Sequence, residues 1–298
     1  SYARSQDWKV DGGMSHRFAD SHRVLAGADF STCRADFSAV RNRATGEALP
    51  MSAGKDVNVD NTGVYLQDEV DVAAGWKAIA GIRMDANSDF DPAVSPRVGL
   101  QHEFEDGTVG RASVGRAYRA PTVLELYQPA IAFGNTMFQS NPDLDPEYIT
   151  TVDLGVERPL GRTIRAHLDA FYNDMKDLID TAFVGTGLTY MNTDEAWSAG
   201  GHAGLDWELE PGLSVFMNYT YQQTESEDTG ADLSLMPEHA GNAGIRMSRD
   251  IAQTKVQGSV SENYVGERGY ADMATGGWVK MDPYWRMDVS ARVSLGEN

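Results

Sequence analysis

Hydrophobic and polar residues alternate with a period of two over much of the chain, in segments of roughly 10 to 13 residues. The last segment shows this most clearly, because apolar side chains occupy every second position from Trp285 to Leu295 and mostly polar or charged ones lie between them. A period of two places alternate side chains on opposite faces of an extended strand. The pattern therefore predicts antiparallel β-strands, and the same alternation begins at Trp76, Ile164, Ala203 and Leu213.

The make-up of the two faces helps to separate a membrane barrel from a soluble sandwich. In a sandwich the apolar face fills a core and is rich in bulky residues. Here several apolar faces mix alanine with larger residues, and the opposite faces carry Arg, Asp and His. Aromatic residues stand at strand ends, as at Trp76, Tyr172, Trp207 and Trp285. This favours a lipid-facing band with aromatic girdles around a polar interior, although alternation alone leaves the soluble sandwich open.

The connections between the predicted strands alternate in length. Short turns are predicted at residues 19–21, 73–75, 105–108, 158–161, 210–212 and 249–252. Long loops are predicted at about residues 41–61, 86–95, 119–147, 176–189, 222–239 and 266–283. Short turns at one end and long loops at the other are typical of outer-membrane barrels, in which the short turns are periplasmic.

Six turns and six loops predict about 13 strands, with the first and the last both running from the loop end to the turn end. An odd number of strands cannot close an antiparallel barrel whose termini share one side, so we expect further strands outside this chain. The prediction is an all-β fold, a transmembrane antiparallel up-and-down β-barrel, to which residues 1–298 contribute one partial barrel domain. No run of about 18 apolar residues occurs, so no membrane-spanning helix is predicted.

The amino-acid composition is that of a folded protein, and the net charge argues against one class of partner. The chain has 298 residues, of which 41% are hydrophobic and 23% charged, and we expect them to fold as a single unit. The net charge of -19 argues against nucleic-acid binding, which requires clustered Lys and Arg. The sequence begins at Ser1 without an initiator Met or a signal pattern, so we expect a processed chain or part of a longer one.

Two short motifs carry a family resemblance. Residues 116–122 read Arg-Ala-Tyr-Arg-Ala-Pro-Thr, and residues 141–147 read Asn-Pro-Asp-Leu-Asp-Pro-Glu. They resemble the Arg-Ala-Pro box and the Asn-Pro-x-Leu box of TonB-dependent outer-membrane receptors, and weaker similarities follow in the family's order from about residue 60 to residue 295. The matching residues are Arg119, Ala120, Pro121, Asn141, Pro142, Leu144, Pro146 and Glu147.

The resemblance implies a receptor in the bacterial outer membrane that takes up a scarce nutrient, with a ferric siderophore favoured over cobalamin. It also implies a barrel of about 22 strands, of which about 13 are present, corresponding to the eighth through twentieth. The family has an N-terminal plug domain and a segment that binds TonB, and nothing in this chain resembles either. The implied partners are outer-membrane lipid, an iron–siderophore or similar ligand, and TonB through the missing N-terminal region. A passive porin-like channel remains the main alternative, and an outer-membrane hydrolase a weaker one.

Recognition of a ligand would fall to polar and aromatic side chains in the long loops and the lumen. The candidate contacts in the loop between the two boxes are Tyr127, Phe133, Asn135, Phe138 and Gln139, with packing of the loop itself as the alternative role. Among the motif residues, Arg119, Pro121, Asn141 and Pro146 are predicted to be structural, because Pro fixes the backbone and Arg pairs with carboxylates at the rim.

The remaining chemistry is sparse. The segment 122–140 contains no His, which disfavours haem, and no pair of His residues has metal-ligand spacing, so no metal site and no cofactor is predicted. Acidic residues at 225–232 and Asp143 with Asp145 could hold Ca²⁺ or form solvated loop charge. No Ser lies in a Gly-x-Ser-x-Gly motif, so no catalytic residue is assigned and the protein is predicted not to be an enzyme.

Overall fold

The computed structural model describes residues 3–37, 46–47, 55–133, 136–185, 187–272 and 277–295. Within these residues it has 17 strands and one short helix. The strands are β1 (Ala3–Phe18), β2 (His22–Phe37), β3 (Lys55–Ala73), β4 (Trp76–Asn87), β5 (Ala93–Glu103), β6 (Val109–Arg119), β7 (Ile131–Phe133), β8 (Thr136–Gln139), β9 (Glu147–Leu160), β10 (Ile164–Val184), β11 (Gly187–Glu210), β12 (Leu213–Ser226), β13 (His239–Ile251), β14 (Thr254–Val265), β15 (Arg268–Ala271), β16 (Trp278–Met281) and β17 (Tyr284–Leu295). The helix α1 covers Val123–Tyr127.

Two compact units divide the chain. Unit 1 contains residues 1–99, 114–150 and 174–195, and unit 2 contains residues 100–113, 151–173 and 196–298. Five long strands, β5, β6, β9, β10 and β11, pass from one unit into the other. Each unit is described by itself below.

In unit 1, strands β1 to β4 pair antiparallel in chain order. Their registers align one apolar row across four strands, formed by Met14, Ala26, Leu66 and Ile82. The opposite face carries charge: the guanidinium of Arg83 donates to Asp29 at 2.7 Å and to Asp85 at 2.8 Å. Hydrophobic alternation thus assigns one apolar face and one polar face to these strands.

In unit 2, the part of β11 that begins at Ala196 is followed by β12, β13, β14 and β17, and each of these strands pairs antiparallel with the one before it. One row across these strands is apolar: Trp207, Val215, Ile245, Val260 and Val289. The adjacent row on the opposite face is polar: Glu208, Ser214, Arg246, Ser259 and Ser290. The two-faced pattern predicted from the sequence is therefore present in both units.

The hydrogen-bonded strand order is β1-β2-β3-β4-β5-β6-β9-β10-β11-β12-β13-β14-β17, with β7 and β8 off this path and β15 paired with β16. Strands that are neighbours in this order are also neighbours in sequence, apart from the short loop strands, which is an up-and-down arrangement. The described residues thus supply thirteen strands to this path, and the predicted all-β antiparallel fold with about 13 strands is confirmed.

Large apolar side chains lie mainly on the surface. Leu66 is 53% exposed and Val289 67% exposed, and both belong to the apolar rows. The buried apolar residues among those described are few: Ala35, Phe37, Val57, Ala93, Leu126, Leu144, Ala196 and Phe216. A soluble monomer rarely exposes so much contiguous apolar surface. Within the described ranges, no helix has the length and apolarity needed to cross a membrane.

The prediction of a loop at residues 176–189 is wrong. Strand β10 continues to Val184 and β11 begins at Gly187, so nearly all of this segment is extended. Asp177, within β10, has a left-handed backbone with a φ of 57°, and such a residue interrupts the regular alternation of side chains along a strand. Pairing with β8 satisfies backbone groups of β11 that a loop would leave to solvent.

Two predicted turns lie too early in the sequence. Strand β9 continues to Leu160 and β13 to Ile251, and the chain reverses from Gly161 (φ 75°) and Ala252 (φ 57°) instead. Pro159 suggests a turn but lies near the strand end, where a missing N–H is tolerated. The loops predicted at 41–61 and 222–239 are also shorter, because β3 begins at Lys55 and β12 ends at Ser226; residues 38–45 and 48–54 lie outside the described residues.

Candidate functional site

The first box positions a short helix at the loop end of unit 1. Pro121 is buried, and Thr122 follows it as the N-cap of α1. The Thr122 hydroxyl accepts a hydrogen bond from the Glu125 backbone N–H at 3.2 Å, and the Glu125 carboxylate accepts one from the Thr122 N–H at 2.6 Å. This reciprocal capping box fixes the start of the helix, and Leu126 is then buried to 1% exposure.

Arg119, the last residue of β6, holds two carboxylates. Its Nε and Nη2 donate to Glu147 at 2.6 and 2.5 Å, and its Nη1 donates to Glu125 at 3.2 Å. A two-pronged guanidinium–carboxylate contact is among the stronger polar interactions in proteins. The predicted pairing of this arginine with rim carboxylates is therefore observed, and it ties the start of the loop to its end.

The same contacts set the protonation of Glu125. Burial alone would raise the pKa of this carboxyl group, but hydrogen bonds from Thr122 and the Arg119 guanidinium outweigh burial and hold the pKa below its ordinary value of 4.5. Glu125 is therefore ionised at neutral pH, and both of its roles, capping and pairing, are available there.

The second box, residues 141–147, contacts the end of β10 and the beginning of β11. The Asn141 side chain donates to the Tyr190 carbonyl at 3.0 Å, and Glu147 accepts from the Ile179 N–H at 2.7 Å. Leu144 is 2% exposed and Pro146 is buried, so the box also packs against its surroundings. The motif residues thus connect the loop to two neighbouring strands.

A single asparagine completes this connection. Asn192 of β11 accepts from the Asp145 N–H at 2.9 Å and donates to the carbonyl groups of Asp145 and Asp177 at 2.8 Å each. Strand β8 adds a parallel pairing with β11 over Gly187–Thr189. We call residues 119–147 together with residues 174–192 the rim assembly, omitting residues 134–135 and 186, which lie outside the described residues.

The five candidate ligand contacts occupy different environments. Tyr127 packs against the buried cluster of Ala35, Phe37 and Val57, and its hydroxyl donates to Asp89. Burial and the bond to Asp89 raise the pKa of Tyr127 to about 12. Phe138 meets Tyr190 edge to face at 5.0 Å. Gln139 is exposed at the end of β8, Phe133 ends β7, and Asn135 lies outside the described residues.

Some residues of the rim assembly were not predicted from the sequence. The Thr122-x-x-Glu125 spacing is a readable capping signal, and it would have predicted α1. Asn192, Ile179 and Asp89 carry no such signal, because their roles depend on strands that are distant in sequence. Long-range contacts of this kind are not visible in local patterns.

Unit 2 contains a cavity of about 560 Å³ that is lined by both polar and apolar side chains. Arg111 donates to Asp169 at 2.7 Å, and Asn173 donates to Ser198 at 2.9 Å. The ring of Phe171 is stacked on that of His202 at 5.1 Å. Charged, amide and aromatic groups on the polar face of one sheet can bind a polar solute or another polypeptide segment.

A second cavity in unit 2, of about 790 Å³, lies near the short turns. Four arginines line it, Arg162, Arg165, Arg246 and Arg292, together with Asp206 and Glu208. Arg246 approaches Asp206 at 3.5 Å and lies over the ring of Phe216 at 3.9 Å. Basic side chains therefore outnumber acidic ones in this cavity, although the chain as a whole is acidic.

Histidines and acidic residues do not form a metal site in the part of the chain that the structure describes, where no group of three or more His, Cys, Asp and Glu residues is placed to hold an ion. His167, predicted to face the lumen, lies across Gly204 of the next strand. His239 begins β13, and its Nδ1 shares a hydrogen bond with the Tyr219 hydroxyl at 2.6 Å.

The fold and the rim define a class of protein. The strands are antiparallel, and they have an exposed apolar face and a polar opposite face. They are joined alternately by short turns and by elaborated loops. These are the features of a transmembrane β-barrel of the outer-membrane type. The family model described as TonB dependent receptor-like, beta-barrel, matches residues 1–298, and the chain belongs to this family.

Known proteins agree with that assignment. The chain is 27% identical over 199 residues to the iron-regulated outer membrane virulence protein of Vibrio cholerae, covering 61% of this chain and 30% of that protein. It is 26% identical over 269 residues to the vitamin B12 transporter BtuB of Vibrio vulnificus, covering 84% and 41%. The crystal structure of the siderophore receptor PirA from Acinetobacter baumannii superposes with a TM-score of 0.78 at 18% identity, covering 97% of this chain and 48% of that one.

The chain thus spans less than half the length of each of these three proteins. The family assignment places it in the bacterial outer membrane, as a β-barrel. Members of this family are transporters rather than enzymes, in line with the prediction that the protein is not an enzyme.

Proposed function

We propose that this chain is the barrel part of an outer-membrane receptor that takes up a scarce nutrient, with a ferric siderophore as its ligand and TonB as its source of energy through a plug domain. The observation that carries the proposal is the rim assembly, in which Arg119, Glu147 and Asn192 bind the loop to β10 and β11. The names of the relatives, which concern iron, siderophores and vitamin B12, support a nutrient receptor.

A binding loop needs a rigid support to present its side chains. The loop between β6 and β9 has such a support at both ends, because Arg119 joins its first residues to its last and Asn141 fixes its middle to Tyr190. The parallel pairing of β8 with β11 extends the support to the outer strands.

The candidate ligand contacts fall into two groups on this support. Gln139 is exposed, and Phe138, which precedes it and points to the opposite face of β8, forms an aromatic pair with Tyr190. The aromatic pair suits an aromatic ligand, and Gln139 suits an amide-containing one. Tyr127 is engaged by Asp89 and by the buried cluster, and we assign it a supporting role in the loop. Phe133 and Asn135 remain candidate contacts by their position in the same loop.

The second part of the proposal concerns the membrane. The exposed apolar rows of both units would face lipid, with the short turns on the periplasmic side and the rim assembly outside the cell. The polar faces would line the lumen, where the two cavities of unit 2 lie.

The decisive experiment uses the full-length protein. We expect saturable binding of a ferric siderophore by the purified receptor, and uptake in cells that stops when the proton-motive force is dissipated. Cobalamin is measured in parallel as the alternative ligand. Uptake that neither saturates nor depends on the proton-motive force would refute the proposed receptor function and support a porin-like channel.

A further inference from the structure

The second cavity of unit 2, which lies near the short turns, has a floor of small side chains. Ser214, Ser259 and Ser290 belong to one row across the sheet, and the hydroxyl oxygens of Ser259 and Ser290 are 2.7 Å apart. Arg246 belongs to the same row, and Arg292 lies in the next row towards the turns. Short side chains leave space above the floor, which the two arginines border. We call these five residues the arginine–serine pocket.

Basic residues outnumber acidic ones on the polar face around this pocket. Alternation along β12, β13, β14 and β17 assigns the following charged residues to that face: Arg246, Lys255, Arg286, Arg292, Asp250 and Asp288. Asp288 accepts a hydrogen bond from Arg286 at 3.0 Å, and Asp250 is paired in register with Lys255. Both acidic residues therefore have basic neighbours of their own, and Arg246 and Arg292 are the remaining cations.

The two arginines of the pocket differ in their partners. Arg246 approaches Asp206 of β11 at 3.5 Å, with both side chains more than half exposed, and its guanidinium lies over the ring of Phe216 at 3.9 Å. Arg292 has no ion pair and no side-chain hydrogen bond among the residues that the structure describes. A guanidinium has five N–H donors and no acceptor, so Arg292 presents unused donors to the cavity.

The carboxylates on the other side of the cavity are too distant to neutralise Arg292. Asp206 and Glu208 belong to β11, and Glu157 of β9 is paired with Arg165 at 3.2 Å. Three strands separate β11 from β17, which at about 4.8 Å per step corresponds to roughly 19 Å along the sheet. A counter-charge for Arg292 must therefore come from another part of the protein or from a bound molecule.

We propose that the arginine–serine pocket is a carboxylate-binding site, in which Arg246 and Arg292 hold an acidic segment of the plug domain against the barrel wall. Guanidinium groups bind carboxylates through paired N–H donors, and the serine hydroxyls of the floor add further donors. The cavity, of about 790 Å³, exceeds the space that a single inorganic anion fills and has the size of sites that take larger organic groups.

Two observations favour a segment of the same protein over a free solute. The pocket lies on the polar face near the short turns, which the proposed function places in the lumen, at the end opposite the loops. The three relatives compared above contain more than as much chain again outside the region that they share with this one. This inference rests on the proposed function, because it requires both the plug domain and the placement of the polar face in the lumen.

The test is chemical cross-linking in the full-length receptor, purified in detergent. Arg292→Lys keeps the positive charge and supplies a primary amine, which a carbodiimide joins to a carboxylate in contact with it. We expect peptide mass spectrometry to find position 292 joined to an Asp or Glu residue of the plug domain. Gln257→Lys adds an amine at the register position beside Arg292, and it should be joined to the same segment. A parallel reaction with added succinate offers the amine a small dicarboxylate instead.

The matched control is Arg249→Lys. Arg249 lies on the same strand as Arg246 but on the opposite face, where it is paired with Glu210. The carbodiimide should join position 249 to Glu210 and to no residue of the plug domain. This product shows that the reaction proceeds in the folded protein, and thermal unfolding in detergent establishes that each variant is folded.

Three results would overturn the carboxylate site. One is a product with succinate but none with protein, which indicates an open anion site. Another is a product confined to β11 or to the strand that follows β17 in the whole receptor, which indicates pairing within the barrel wall. The third is no product in either variant while the control reacts.

Failure of the proposed function gives a different result, because uptake of ferric siderophore is measured separately in wild type. Saturable uptake that depends on the proton-motive force, without the cross-link, would refute the carboxylate site alone. A cross-link in a protein that takes up no siderophore would refute the proposed receptor function and leave the carboxylate site standing.

Discussion

Asn192 and Asp145 are joined by two reciprocal hydrogen bonds: the Asn192 side chain accepts from the Asp145 N–H at 2.9 Å and donates to the Asp145 carbonyl at 2.8 Å. A third bond, from Asn192 to the Asp177 carbonyl, brings in strand β10. One amide side chain thereby fixes the relative positions of a loop and two strands through three backbone groups.

Replacing Asn192 by Ala should loosen the rim assembly without unfolding the barrel. Three partly exposed hydrogen bonds are lost, and we expect about 1–3 kcal/mol less protection of this region. Amide hydrogen exchange in the full-length receptor measures this, with faster exchange expected at Asp145 and Ile179. Asn58→Ala, which removes exposed side-chain contacts on β3, is the control and should leave the rim unchanged. Unaltered exchange at Asp145 would show that Asn192 is dispensable.

Replacing Arg119 by Lys tests the geometry of the ion pair. Lysine keeps the charge but cannot make the two-pronged contact with Glu147 and reach Glu125 as well. We expect a loss of about 1–2 kcal/mol in local stability and weaker ligand binding with an unchanged melting temperature of the barrel. The matched variant is Arg158→Lys, whose partner Asp106 is 3.5 Å away at an exposed turn, where little should change.

The contacts that Glu125 makes with Arg119 and Thr122 should also depend on pH. Because the pKa of Glu125 is held below its ordinary value of 4.5, its contribution to stability is complete above that value and is lost as the pH falls through the lowered pKa. Hydrogen exchange of the rim, compared between neutral pH and the acid range below 4.5, should show loosening in the wild type. Glu125→Gln should already be loosened at neutral pH and change less on acidification; an equal response of both proteins would contradict this role.

Glycine at position 204 should be required for packing on the polar face. A Cβ atom added at Gly204 would overlap the ring of His167 and come within 2.5 Å of the Asn218 side-chain oxygen. We expect Gly204→Ala to lower the free energy of unfolding by about 1–3 kcal/mol through displacement of His167. Thermal unfolding in detergent measures this. Gly12→Ala is the matched control, since no atom lies within 4 Å of the added Cβ there.

The strands and their two faces were largely predictable, for a physical reason. A period of two specifies both the extended conformation and the side on which each residue lies, so Trp76 and Trp285 could be assigned to the apolar face from sequence. The same criterion failed at residues 176–189, where the left-handed backbone of Asp177 interrupts the alternation within β10. The turns predicted at residues 158–161 and 249–252 were displaced by a few residues, because β9 and β13 continue to Leu160 and Ile251 before the chain reverses at the left-handed residues Gly161 and Ala252.

The rim assembly was predictable only in part. The pairing of Arg119 with carboxylates followed from the motif, and the capping box could have been read from Thr122 and Glu125. The partners of the second box could not, because Asn192 and Ile179 are brought to it by strand pairing over a long sequence separation. Local sequence patterns carry no information about such partners.

The parallel pairing of β8 with β11 has a consequence for the order of folding. The β7–β8 hairpin closes a short stretch of chain, whereas β8 can meet Gly187–Thr189 only after roughly 50 residues, including β9 and β10, have been brought into place. Contacts that close long loops form late, since their entropic cost falls once the intervening strands are ordered. We therefore expect the external loop to be the last region to reach its native state, and competence for ligand capture to appear more slowly than insertion of the barrel.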